Sequence, residues 1–213
     1  PYVYEHLEKL HELSKIPIIT TTAGNLREDS LSDKFVSIPV YMANDEGEGT
    51  IMRRQCTREY KIEPIQKAIR KYLGYRKGQR VKEQVRALVG ISIDEATRMK
   101  PSWYPYITNT YPLVDARINR QMCLNILQEY GWSIPQKSAC TFCPYRPDSS
   151  WKEIKQNMPK VWQEIVEFDR GIRHKARIMD DGKPRPVFLH KSRQPIEDVD
   201  FTKGGQMEFT IDG

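Results

Sequence analysis

Cys140 and Cys143 sit three positions apart in "SACTFCPYR", within a chain of 213 residues that holds only four cysteines. A Cys-x-x-Cys turn brings two thiolates close enough to ligate one metal or cluster, or to form a redox disulfide. A third cysteine, Cys56, lies in "RRQCTREYK" with Arg53, Arg54, Arg58 and Lys61 around it. Such a cationic field stabilises a thiolate and predicts a lowered pKa. The fourth, Cys123, falls on the apolar face of an expected helix and reads as a small hydrophobe in the core. Three thiols remain for chemistry. A [4Fe–4S] cluster normally takes four ligands, so these three would leave one iron without a protein ligand. Zinc is the competing metal, with His190 or His174 as fourth ligand.

A second candidate is "VGISIDEATRMKPS". A strand ending at Gly90-Ile91-Ser92 and passing into a short helix turns backbone N–H groups toward an anion, with Arg98 nearby.

These residues need elements to hold them. Val3, Leu7 and Leu10 recur at helical spacing ahead of Pro17, and "IPIITTTAGN" reads as a β-branched strand running into a turn. The acidic stretch "NDEGEGT" is a surface loop. Glu63-Pro64 opens a helix with Ile65, Ala68, Ile69, Tyr72 and Leu73 facing inward and Gly74 as its C-terminal cap. "VRALVGIS" is a strand, and "DEATRMKP" is a short helical turn stopped by Pro101. Asn119 caps a helix that ends at Gly131, with Met122, Cys123, Ile126, Leu127 and Tyr130 inward. Ser150 and Glu153 have capping-box spacing before a long apolar stripe through Val161, Trp162, Ile165, Phe168 and Ile172, broken at Pro159. The expected organisation is one α/β domain over residues 1–200, then a flexible tail over residues 201–213.

The formal net charge of +6 and the pI near 9.1 favour anionic partners. Four cysteines are too few for a secreted disulfide scaffold, so a reducing cytoplasm is expected. No apolar run approaches membrane-spanning length.

Taken in order, the segments resemble the phosphoadenosine-phosphosulfate (PAPS) reductase-like family of the adenine nucleotide alpha-hydrolase superfamily. "CTREYKIEPIQKAI" looks like its cysteine-then-basic segment leading into a Pro-initiated helix. "ALVGISIDEATRMK" looks like its Gly-to-Arg segment after a core strand. "YPLVDARINRQMCLNILQEYGW" looks like its Pro-Leu-x-acid strand end and following helix, and "SACTFCPYR" like the Cys-x-x-Cys that closes the site. The match covers roughly residues 2 to 200, and similar proteins from bacteria and phages are labelled sulfotransferase or reductase.

The resemblance implies a Rossmann-like, doubly wound parallel sheet with a helical C-terminal part. It implies sulfur chemistry dependent on ATP or PAPS, a [4Fe–4S] cluster on Cys56, Cys140 and Cys143, and phosphate or sulfate binding by Arg53, Arg54, Arg58, Lys61, Gly90 and Arg98. Departures are visible. The superfamily's Ser-Gly-Gly-x-Asp-Ser phosphate loop does not occur in this sequence, so the sheet is expected to be N-terminally incomplete and this chain alone to be inactive on ATP. An exposed sheet edge, and with it a homodimer, is a further expectation. Gln55 precedes Cys56 where the reductases carry a paired cysteine, and no cysteine follows Cys143. That set is more similar to the enzymes that thiolate tRNA or put sulfur into DNA. Two rivals stand beside this reading: a non-catalytic module that binds nucleic acid or a partner protein, and a zinc-stabilised structural domain.

Overall fold

The computed structural model describes residues 2–32, 38–43, 49–135, 139–175 and 185–202. The sequence "NDEGEGT" and the tail beyond Thr202 fall largely outside them. In chain order the elements are α1 (Tyr2–Leu13), α2 (Leu26–Leu31), β1 (Tyr41–Ala43), β2 (Gly49–Ile51), α3 (Glu63–Tyr72), β3 (Val85–Leu88), β4 (Ile107–Thr110), α4 (Pro112–Asp115), α5 (Arg120–Glu129), α6 (Asp148–Asn157) and α7 (Pro159–Ile172). A π-helical turn, Arg58–Ile62, leads into α3, and 3₁₀ turns form at Ile93–Arg98 and Ile196–Asp198. The chain is thus a mixture of helix and strand. It gathers into two compact units, residues 1–19 with 67–138 and residues 20–66 with 139–213.

The larger core belongs to the second unit. Pro159 removes a backbone donor and ends α6 at the preceding residue, so α6 and α7 form two helices in place of one. Trp151 and Ile154 of α6 and Ile165, Phe168 and Ile172 of α7 are buried together with Val40, Met42, Val187, Leu189 and Ile196. Each of the fully buried aliphatic or Phe side chains contributes about 1.5–3 kcal/mol. β1 pairs antiparallel with β2, Tyr41 opposite Ile51, and Tyr41 also exchanges backbone hydrogen bonds with Phe188. One buried carboxylate organises the return of the chain. Asp169 accepts from the backbone N–H groups of Leu189 (2.9 Å) and Ile196 (3.2 Å) and pairs with Arg173 one turn along α7.

In the first unit β3 and β4 run parallel, Val85 opposite Ile107 and Leu88 opposite Thr110, joined through the 3₁₀ turn and Pro101. A parallel pair needs such a crossover, and "DEATRMKP" supplies it. α5 follows the expected plan at both ends. Asn119 accepts from Met122 N–H at 2.8 Å, and Gly131 takes a φ of +68° past the C-cap, a conformation glycine adopts without strain. Replacing Asn119 with alanine is expected to destabilise this unit by about 0.5–2 kcal/mol, while Asn119→Ser loses little. Amide hydrogen exchange in residues 120–124 would read the difference. Equal protection in the alanine variant would deny the cap its role.

Several expectations are corrected. Residues 16–25 form no strand. Ile16 and Ile19 are exposed, the Thr22 hydroxyl serves Gly24 N–H and C=O, and Asn25 caps α2 by accepting from Arg27 N–H. Threonine and asparagine side chains here satisfy the backbone locally in place of a ladder. Gly49–Ile51 is strand where a loop was expected. The apolar faces of α3 and α5 are only partly covered: Ile65, Tyr72, Met122, Ile126 and Tyr130 are exposed, and Cys123 is half-buried. Among the described residues of the first unit, only Val81 and Tyr106 are buried hydrophobics. The capping box fails as well. α6 begins at Asp148, and the Ser150 hydroxyl serves a different partner, Arg146. Among the described residues no helix is long and apolar enough to cross a membrane.

Candidate functional site

The Cys-x-x-Cys segment is a pair of turns. Cys143 N–H donates to Cys140 C=O at 3.2 Å, and Arg146 N–H donates to Cys143 C=O at 3.1 Å. Phe142, between the cysteines, stacks on Phe168 with ring centroids 4.1 Å apart, and Pro144, directly after Cys143, is buried. The turn is therefore pinned to the core by these two residues. This leaves Cys140 exposed and Cys143 half-buried.

Cys56 reaches the same place from a distant stretch of sequence. It opens the helical run that continues through the π-helical turn into α3, and it packs half-buried against the core. Its thiol pKa is pushed up, chiefly by burial. Arg54 acts the other way through its charge and a hydrogen bond, and Cys140 and Cys143 push upward again. The expected lowering by the basic field is therefore corrected, because burial outweighs one nearby guanidinium. Arg53, Arg58 and Lys61 are not among the groups that set this pKa. Arg53 and Lys61 are exposed, and Arg58 pairs with Glu63 at 2.9 Å.

The influence of Cys140 and Cys143 on Cys56 places all three in one electrostatic neighbourhood. Tyr41, Tyr145 and Arg146, not among the expected site residues, share it. Arg54 lies over the Tyr145 ring at 5.4 Å. The Tyr41 hydroxyl pKa is raised first by burial and then by Tyr145, Cys143 and Asp148. Arg146 donates to Cys140 C=O at 3.0 Å and to the Ser150 hydroxyl at 2.7 Å. Burial lowers its pKa against the opposing effects of Cys143 and Cys140. The "CPYR" of the motif was the available signal for Tyr145 and Arg146; nothing local in sequence pointed to Tyr41.

Does this set suit a metal or cluster? Among the described residues no group of three or more His, Cys, Asp or Glu side chains is arranged to hold a metal ion. The chemistry of the donors nonetheless fits a thiophilic, anionic group. Cys140 and Cys143 lie near enough to act on the charge of Cys56. The buried Thr57 Oγ1, Arg146 Nε and Trp151 Nε1 have no hydrogen-bond partner, as is also true of atoms of Arg27, Ser30, Arg173 and Glu197. Thr57 follows Cys56 directly, and Arg146 follows the paired turn. Unpaired buried donors are costly, and sulfur acceptors bound beside them would satisfy them.

His190 is committed elsewhere. Its Nδ1 accepts from Ser192 N–H at 3.1 Å, which leaves the proton on Nε2, 3.1 Å from Asp148 Oδ1. The Ser192 hydroxyl also lies 2.8 Å from Nδ1. A zinc ligand at His190 would have to break one of these contacts. His174 is exposed just beyond α7.

Burial works to raise the Asp148 carboxyl, but hydrogen bonds from His190 and Lys191 outweigh it and hold the pKa below the usual value. The folded state therefore releases the Asp148 proton at lower pH than the unfolded chain does. The stability this provides is full above the unfolded carboxyl pKa and is lost as pH falls through the folded one. Unfolding midpoints of wild type and Asp148→Asn should diverge as pH rises through that window and converge below it. Parallel curves would remove Asp148 from the acid response.

Gly90 and Arg98 belong to the other unit. Gly90 is exposed beyond β3, and Arg98 pairs with Glu95 on the surface, a kind of contact worth about 0–1 kcal/mol. Asp94 accepts from Arg120 N–H at 2.5 Å, so a carboxylate of the chain itself meets the first turn of α5. An external anion at that N-terminus would have to displace it.

Comparison with known proteins finds no family model, no curated protein and no solved structure that matches this chain.

Proposed function

We propose that this chain carries a thiol-ligated metal centre of an α/β protein of sulfur metabolism, similar to the PAPS reductase-like family, with Cys56, Cys140 and Cys143 as ligands of a [4Fe–4S] cluster. The observation that carries the reading is that Cys140 and Cys143 both act on the charge of Cys56, so that the third thiol lies near the Cys140–Cys143 turn. Two unpartnered buried donors next to the cysteine segments in sequence, Thr57 Oγ1 and Arg146 Nε, support it. The parallel β3–β4 pair with its helical crossover is compatible with part of a doubly wound sheet.

When bound, a cluster on three thiolates supplies an iron free to take a sulfur species. The chain's own groups have separate tasks. Arg54 donates to Cys56 and stabilises its thiolate. Thr57 Oγ1 and Arg146 Nε, buried and without a partner, would be the donors available to a sulfur acceptor held there. Arg53 and Lys61, with Arg54, draw in the phosphate or sulfate of ATP or PAPS. Phe142 and Pro144 exclude water from the inner side of the turn.

The test is anaerobic purification followed by iron, sulfide and zinc analysis. Iron and sulfide in comparable amounts are expected. Zinc without sulfide would replace the reading by a structural zinc site, and neither metal would leave Cys140 and Cys143 as a thiol pair. Calorimetry with ATP and PAPS separates a nucleotide site from a nucleic-acid surface, whose affinity would instead fall steeply with salt.

A further inference from the structure

Arg146 makes more contacts than a surface arginine after a turn requires. One guanidinium nitrogen donates to Cys140 C=O at 3.0 Å and another to the Ser150 hydroxyl at 2.7 Å. The guanidinium also lies over the ring of Trp151, 5.3 Å from its centroid, and Trp151 is fully buried. Its own backbone N–H closes the turn on Cys143 C=O at 3.1 Å. The side chain thus ties the Cys140 end of the turn to the first turn of α6, while the backbone of the same residue holds the Cys143 end. A planar fork with fixed donor directions can do this; an ammonium on a flexible stem cannot span the same pair of acceptors.

We propose that Arg146 is a positioning residue for Cys140 and Cys143, clamping the turn against Ser150 and Trp151 so that both thiols present to one acceptor atom. The proposal deepens the ligand reading above and rests on it for its purpose, but its test does not need the cluster. The effect is geometric and distinct from the attraction between a cation and thiolates. Lysine keeps the charge and loses the fork, so Arg146→Lys should behave like Arg146→Gln.

Phenylarsine oxide reads this geometry directly in the reduced, chelator-treated full chain. Two thiols give their protons to the departing arsenic oxygen, two As–S bonds replace As=O, and water leaves with no change of oxidation state. Because the adduct is neutral, the charge on residue 146 has little direct bearing on it. Wild type should chelate the arsenical, and a variant with serine at both Cys56 and Cys140 should not. Arg146→Gln and Arg146→Lys should each release it to a competing dithiol about tenfold more readily, the scale of losing hydrogen bonds from a charged group. Maleimide labelling of Cys56 and Cys123 should stay at wild-type rates, which a general loosening of the fold would not allow. If either arginine variant does loosen the fold, Ser150→Ala decides the matter. It removes one partner of the fork and no charge, and a several-fold weaker adduct is expected.

Wild-type arsenical affinity in both arginine variants, or full rescue by lysine alone, overturns the clamp. Metal analysis of the anaerobically purified wild type before chelator treatment reports separately on the proposed function. Iron with unchanged arsenical affinity removes Arg146 and leaves the centre, while weakened affinity without any metal does the reverse.

Discussion

Asp169→Ala is expected to destabilise the second unit by about 3–5 kcal/mol, the scale of breaking a buried ion pair by removing one partner. Asp169 is fully buried on α7, and its carboxylate is the common acceptor for Leu189 N–H, Ile196 N–H and the Arg173 guanidinium. Alanine leaves two backbone donors and one cation unpaired in a core that includes Phe168, Ile172, Leu189 and Ile196. The damage extends to the site, because the segment held by Asp169 carries His190, which in turn holds Asp148 at the start of α6. Asp169→Asn should lose less, since one amide oxygen still accepts, although its NH₂ faces donors. Asp169→Leu combined with Arg173→Leu should recover part of the loss, because the uncompensated cation goes with its partner. Urea unfolding of the full chain, followed by tryptophan fluorescence from Trp151 and Trp162, measures all three. A loss below about 1 kcal/mol for alanine would mean that the carboxylate is not the organiser of this core.

Sequence legibility followed the range of the interactions. α5 was readable at both ends because Asn119 and Gly131 act on backbone within their own turns. The break at Pro159 was readable for the same reason, since a missing N–H and a ring clash are local. "IPIITTTAGN" misled because β-branched composition describes what a strand surface would like, while pairing depends on partners that the segment does not find. The capping box at Ser150 misled because a short motif cannot show that Arg146 claims the hydroxyl first.

The thiols show the same division. Cys140 and Cys143 are neighbours in sequence, and their turn was expected. Cys56 was singled out by its arginines, yet its pKa moves opposite to the local expectation, because burial against residues distant in sequence outweighs Arg54. Asp169 had no signal at all. A lone acid on an apolar helix stripe reads as a solvated interruption until Leu189 and Ile196 return to it.

The sharpest division is predicted among the cysteines themselves. If Cys56, Cys140 and Cys143 hold one cluster, serine at any of them should abolish it, with iron and sulfide lost together, because each thiolate bonds directly to iron. The loss should be near complete at Cys56 as well as in the turn. Cys56 brings the third ligand from another part of the chain, and a turn alone supplies only two. Because metal binding and folding are linked, these variants should also unfold at lower denaturant than the loaded wild type. Cys123→Ser should behave differently. That thiol is half-buried on α5 in the first unit, where a hydroxyl costs modest stability and touches no ligand. Its iron and sulfide should match wild type. Anaerobic purification of the four variants, with iron, zinc and sulfide analysis and a visible spectrum of each, decides between the outcomes. Iron retained in Cys56→Ser would reduce the site to the Cys140–Cys143 pair. Loss confined to Cys123→Ser would move the centre to the other unit and refute the convergence of the three thiols as its basis.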